Sequence, residues 1–105
     1  MESKVLEEIR TLLEPTFKEL GVGKAILFGS MSRGTDTRRS DIDLLIVVAT
    51  EKRFFDRYQS FEEIFRFFKG RSVDLLIYTP EELDRIAHRR FIKMILTQGQ
   101  TVYEH

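Results

Sequence analysis

Apolar side chains recur at Val5, Leu6, Ile9, Leu12, Leu13, Phe17 and Leu20, the spacing of a helical stripe, and Gly21 supplies a stop. Pro15 falls inside that stripe, so the pattern predicts a helix over residues 3–20 that kinks or divides near Glu14. Ala25, Ile26, Leu27 and Phe28 then form a short apolar run closed by Gly29 and Ser30, which reads as a first strand over 24–28. Residues 29–40, GSMSRGTDTRRS, carry no apolar side chain except Met31 and read as a surface loop with room for one helical turn.

Residues 41–48, DIDLLIVV, open on two aspartates and continue as an unbroken Leu, Ile and Val run, the mark of a strand covered on both faces. Phe54, Tyr58, Phe61, Phe65 and Phe68 recur at alternating steps of four and three, predicting a helix from Glu51 to Phe68 closed by Gly70. Val73 to Tyr78 reads as a third strand, again opened by an aspartate, Asp74. Thr79, Pro80 and Glu82 have the form of a helix start: a hydroxyl cap, proline at the first position, and a glutamate three after the cap. Leu83, Ile86, Ala87, Phe91, Met94 and Ile95 share one face of a last helix ending near Gly99, and Thr101 to Tyr103 can add an edge strand. Strands alternating with helices predict an α/β fold, with helices packed on a sheet of three to four strands.

Composition narrows the class. A chain of 105 residues with equal numbers of acidic and basic groups is expected to form a single domain over 1–105. The absence of cysteine excludes a disulfide frame, a cysteine zinc site and a thiol nucleophile, leaving carboxylates, hydroxyls, basic groups and two histidines to carry any chemistry. Zero net charge argues against general nucleic-acid binding, which is usually accompanied by a basic excess. Met1 leads into a charged helical pattern, and no apolar run approaches the roughly 20 residues of a membrane span, so a cytoplasmic location is expected.

The aspartates are the strongest chemical signal. Alternation along a strand turns Asp41 and Asp43 to the same side, where two like charges repel and raise each other's pKa unless a cation lies between them. Aspartate is also disfavoured in strands, and paired carboxylate oxygens suit magnesium, with manganese the alternative. Asp74 occupies the same place on the third strand. If the segment between the second and third strands is a right-handed crossover, those strands are parallel and Asp74 is brought beside the pair. Gly29 and Ser30, at the carboxyl end of the first strand, reach the same point only if that strand runs antiparallel to the other two. A mixed sheet is therefore expected. Gly29 offers backbone without a Cβ, and Ser30 a hydroxyl at the start of a helical turn, both suited to phosphate. Between Lys24 and Ser40 four basic residues, Lys24, Arg33, Arg38 and Arg39, stand against one acid, Asp36, and would steer a polyphosphate to this end of the sheet. Three carboxylates and a phosphate cradle describe phosphoryl or nucleotidyl transfer.

The string Gly29, Ser30, ten residues, Asp41, Ile42, Asp43 resembles the signature of the DNA polymerase β nucleotidyltransferase superfamily. At this length the chain is most similar to the minimal nucleotidyltransferase (MNT) domains, commonly encoded beside a helical HEPN partner as the antitoxin of a toxin-antitoxin pair. The resemblance implies that Asp41 and Asp43 ligate two magnesium ions, one shared with the nucleotide phosphates. It implies that Asp74 completes the acceptor-side metal site and serves as base for the attacking hydroxyl. Gly29 and Ser30 would hold the triphosphate of ATP, with Arg33 and Ser40 as further nucleotide contacts. It further implies that the acceptor is held by another molecule: a HEPN toxin, an RNase inactivated by AMP transfer to a tyrosine, in an oligomer with its partner.

Plainer readings stand beside these. The paired aspartates could be solvated acids at the start of a strand, Ser30 a helix cap, Arg33 a solvated side chain, and Ser40 a cap. Arg38 and Arg39 read as loop surface. The phenylalanine stripe reads as core, whereas Phe55 and Phe67 lie off it and could face a partner. His88, among Arg85, Arg89 and Arg90, reads as part of a solvated face. Two other functions remain open: nucleotidyl transfer to a small molecule or an RNA end, and a binding-only antitoxin that masks its toxin by contact.

Overall fold

The computed structural model describes residues 4–29 and 41–105. Helix α1 (Lys4–Glu19) precedes strands β1 (Val22–Phe28) and β2 (Ile42–Val48); a 3₁₀ helix (Phe54–Phe61) and the short α2 (Glu62–Phe67) then lead to β3 (Val73–Tyr78). Helices α3 (Pro80–Ile86) and α4 (Arg90–Gln98) and strand β4 (Gln100–Glu104) complete the order. The four strands form one sheet in the order β3-β2-β1-β4. The β2–β3 pair is parallel, and β1 runs antiparallel to both β2 and β4. The expected mixed sheet is therefore present, with β4 as its fourth strand.

Strand alternation divides the core in two. Leu27, Ile42, Leu44, Ile46 and Ile77 turn to one face, where Leu13 and Phe17 of α1 and Ile64 of α2 cover them. Ile26, Phe28, Leu45 and Val47 turn to the other, under Ile92 and Ile95 of α4. Gly99, at the end of α4, permits this approach, because a Cβ there would lie 2.4 Å from the Ile26 side chain and 2.6 Å from the Ile95 carbonyl. Leu75 and Ile77 of the edge strand β3 offer carbonyls that accept hydrogen bonds from the Tyr58 hydroxyl (2.6 Å) and the Arg57 guanidinium (3.0 Å). Arg10 donates to the Thr101 carbonyl of the other edge strand (2.9 Å). Edge acceptors taken in this way are less open to pairing with another strand.

Five expectations need correction. Pro15 does not divide the first helix, which runs through it. Thr11, whose carbonyl loses its partner and meets the proline ring, is exposed together with Glu14 and Pro15, so the defect faces water and not the core. Leu12, expected in the stripe, is also exposed, while Thr16 is buried in its place. The first strand begins at Val22, two residues before the expected start, because Val22 is itself fully buried and pairs with Val48.

The helix expected over Glu51–Phe68 is instead a 3₁₀ helix followed by a short α-helix. At three residues per turn, positions spaced by three align, so Tyr58, Phe61 and Ile64 turn inward and Phe65 is left 40% exposed. The last helix is two helices. Continuing the Leu83 and Ile86 face through an unbroken helix would bring Arg90 and Lys93 onto the sheet, with Ile92 on the opposite side. Extended backbone at Arg89 (φ −69°, ψ 140°) resets the phase, so Ile92 and Ile95 are buried and Phe91 and Met94 are not. The start of α3 is as expected: the Thr79 hydroxyl accepts from the Glu82 amide and the Glu82 carboxylate accepts from the Thr79 amide. Among the described residues, no helix is long and apolar enough to cross a membrane.

Candidate active site

The two strand pairings place Phe28, Asp43 and Asp74 in one row across the sheet. Phe28 of β1 is the partner of Asp43, which is in turn the partner of Asp74 on β3. Because β1 is antiparallel to β2, its carboxyl end meets their amino ends, as the position of Gly29 requires. The Ile42 amide donates to the Ser72 carbonyl at 2.8 Å, which ties the start of β2 to the start of β3. Asp43 has the parity of Leu45 and Val47, and Asp74 that of Leu76 and Tyr78. Both carboxylates therefore stand on the face covered by α3 and α4.

Asp43 is half-buried, with the carboxyl of Asp74 beside it. Burial pushes its pKa up to about 6, and the nearby charges of Asp74 and then Asp41 push the same way. A cation between the two carboxylates would relieve their repulsion. The donor set is oxygen only, which fits magnesium or manganese. Asp41, just before β2, is exposed and acts on Asp43 through its charge. Among the described residues no three His, Cys, Asp or Glu side chains are grouped closely enough to hold a metal on their own. A cation between Asp43 and Asp74 would thus need further ligands, which nucleotide phosphate oxygens can supply.

Gly29 has φ +81°, and a Cβ on it would lie 2.6 Å from Asp43 Oδ2. Both the backbone conformation and the close approach of the carboxylate demand glycine here. Ser30, Arg33 and Ser40, expected to contact nucleotide, lie outside the described residues, as do Arg38 and Arg39.

The nucleotidyltransferase domain family matches residues 3–98, nearly the whole chain. The chain belongs to that family. A candidate protein adenylyltransferase of Methanocaldococcus jannaschii is 32% identical over 83 residues, covering 75% of this nucleotidyltransferase domain and 56% of the relative. The domain thus spans little more than half the length of that relative. A toxin-antitoxin protein crystallised with AMP-PNP superposes with a TM-score of 0.68 at 22% identity, covering 91% of this chain and 73% of that one. A candidate nucleotidyltransferase of Sulfolobus solfataricus gives 0.62 at 22% identity over 95% and 80% of the two chains. The complex of tri-AMPylated Shewanella oneidensis HEPN toxin with MNT antitoxin gives 0.63 at 18% identity over 95% and 73%. These likenesses establish the polymerase β-like nucleotidyltransferase fold.

Arg57 carries a role that sequence reasoning missed. It is buried, donates to both carboxylate oxygens of Glu82 (2.6 and 3.0 Å), and bonds the Ile77 and Lys52 carbonyls. The Arg57 hydrogen bonds, with the Thr79 cap, hold the Glu82 carboxyl down to about 2. The pair fixes the carboxyl end of β3 to the start of α3, and so sets how α3 leaves the sheet. Arg57 follows Phe54 by three residues and precedes Phe61 by four, on the flank of the phenylalanine stripe, so that spacing was the signal that could have found it.

Proposed function

We propose that this nucleotidyltransferase domain transfers AMP from ATP to the hydroxyl of a protein acceptor, a tyrosine of a HEPN-type toxin bound as its partner. The observation that carries the reading is the Asp43–Asp74 contact beside Gly29, since paired carboxylates next to a Cβ-free backbone form a site for a metal-bound polyphosphate. Family membership supports nucleotidyl transfer. The M. jannaschii relative's name supports a protein acceptor, and the S. oneidensis complex supports a HEPN toxin.

Asp41 and Asp43 would hold two magnesium ions together with the phosphates, and Asp74 would complete the acceptor-side position. Magnesium supplies charge neutralisation on the triphosphate and on the leaving pyrophosphate. The acceptor oxygen forms a bond to the α-phosphorus as the bond from that phosphorus to the bridging oxygen breaks. Pyrophosphate departs with that bonding pair, and Asp74 takes the hydroxyl proton. Gly29 and Ser30 would bind the triphosphate, with Arg33 and Ser40 beside it. The exposure of Asp74 supports this role, since an acceptor would arrive from solvent.

The test is transfer from α-labelled ATP with magnesium, in a lysate of the source organism, by the wild type and by the Asp41→Asn, Asp43→Asn double variant. Protease-sensitive label that is lost in the double variant, on a HEPN protein identified by mass, supports the proposal. RNase-sensitive label would assign the activity to RNA ends instead. Absence of nucleotide binding by the wild type would refute nucleotidyl transfer.

A further inference from the structure

Phe28, the partner of Asp43 across the β1–β2 pairing, is buried, and the Phe91 ring of α4 meets it at 5.9 Å between centroids with the planes at 89°. Whichever ring offers its edge in such a contact, Phe91 keeps at least one face outside it. That ring is 51% exposed. Ile92 and Ile95 already anchor α4 to the sheet, so the packing of the helix does not explain a large aromatic held half in water.

Its place relative to the carboxylates suggests a use. Phe28 is the strand partner of Asp43, which Gly29 adjoins, and the ring neighbour of Phe91, so one buried side chain links the phosphate end of the site to an exposed aromatic ring. A nucleoside triphosphate has the same order: charged phosphates, a sugar spacer and a flat π-system. Resting on the nucleotidyl-transfer reading above, we propose that Phe91 is the stacking platform for the base of the nucleoside triphosphate, braced by Phe28. A phenyl ring has no donor or acceptor, so the platform contributes affinity without choosing among bases, and favours purines over pyrimidines only through their larger area.

Calorimetric titration of the full chain with the magnesium salts of ATP, GTP and tripolyphosphate tests this. Phe91→Ala should weaken ATP and GTP alike by roughly tenfold. Its affinity for tripolyphosphate should stay within about twofold of wild type. Phe91→Trp should restore purine binding. Phe91→Leu, which keeps apolar contact with Phe28 but has no aromatic face, should lose base affinity while melting as the wild type does, and so carries the test even if the alanine variant is poorly folded. Unchanged ATP affinity in the leucine and alanine variants would overturn the proposal and assign the exposed ring to a protein contact. An equal loss of tripolyphosphate would also overturn it, placing the effect in the phosphate site. Wild type that binds no triphosphate would refute the nucleotidyl-transfer reading and the platform together, whereas active wild type with an indifferent Phe91 would refute the platform alone.

Discussion

Asp43 and Asp74 stand opposite one another in the parallel pairing of β2 and β3, with their carboxyl groups side by side on one face of the sheet. Without a cation this contact opposes folding, because one carboxyl must stay protonated or two negative charges must share a half-buried position. Asp43→Asn removes one charge and retains a hydrogen-bonding side chain of nearly the same shape. The variant should melt at or above the wild-type temperature in the absence of metal, yet transfer AMP at least about 10²-fold more slowly. Thermal melts in chelator and single-turnover transfer rates, measured side by side, check both halves. A variant that lost stability and activity together would indicate a structural aspartate.

Gly29→Ala adds a Cβ where Asp43 Oδ2 lies 2.6 Å away, on backbone at φ +81°. The expected cost is roughly 1–3 kcal/mol, from the disfavoured conformation and from displacing the carboxylate. Urea unfolding would measure it. Magnesium-dependent ATP binding should weaken in the same variant because Asp43 is pushed from its place.

The Arg57–Glu82 pair predicts a pH dependence of stability. Glu82 has a folded-state pKa near 2 against an ordinary 4.5, so its contribution is fully present above about 4.5 and is lost as pH falls from there toward 2. Glu82→Gln leaves Arg57 buried without a counter-charge and should cost about 1–3 kcal/mol at neutral pH, less than a fully enclosed pair because Glu82 is partly exposed. The wild type should therefore lose its advantage over Glu82→Gln between pH 4.5 and 2, as read from urea midpoints at pH 7 and 3.

Pro15→Ala should stabilise the protein by roughly 1–2 kcal/mol, since α1 runs through this position and alanine restores an amide that can bond the Thr11 carbonyl. The gain is smaller than the full proline penalty because proline also restricts the unfolded chain. A lower melting temperature would mean that the ring makes a favourable contact on the helix surface.

Much of the architecture was legible because it depends on local chemistry. The β3 boundaries follow from an apolar run between Asp74 and Thr79, and the α3 start from a threonine, a proline and a glutamate in fixed positions. The antiparallel β1 was legible too, since Gly29 could not otherwise meet the aspartates. Where one helix replaced another form, the cause was not local. The step-of-three-and-four pattern of phenylalanines is satisfied by an α-helix, and the tighter winding goes with bonds to distant residues, from Arg57 to Ile77 and Glu82 and from Tyr58 to Leu75.

The sequence by itself determined the candidate residues: Asp41, Asp43 and Asp74 at strand starts and Gly29 after a strand end, because alternation and turn chemistry act over a few residues. Tertiary structure decided which of them touch. Strand register sets Asp43 against Asp74 and leaves Asp41 exposed beside them, since a pairing register depends on how whole strands bury their faces. It also decided the rotation of α4. Burying Ile92 and Ile95 on the sheet requires a break at Arg89, and that break carries Phe91 out of the core, against Phe28.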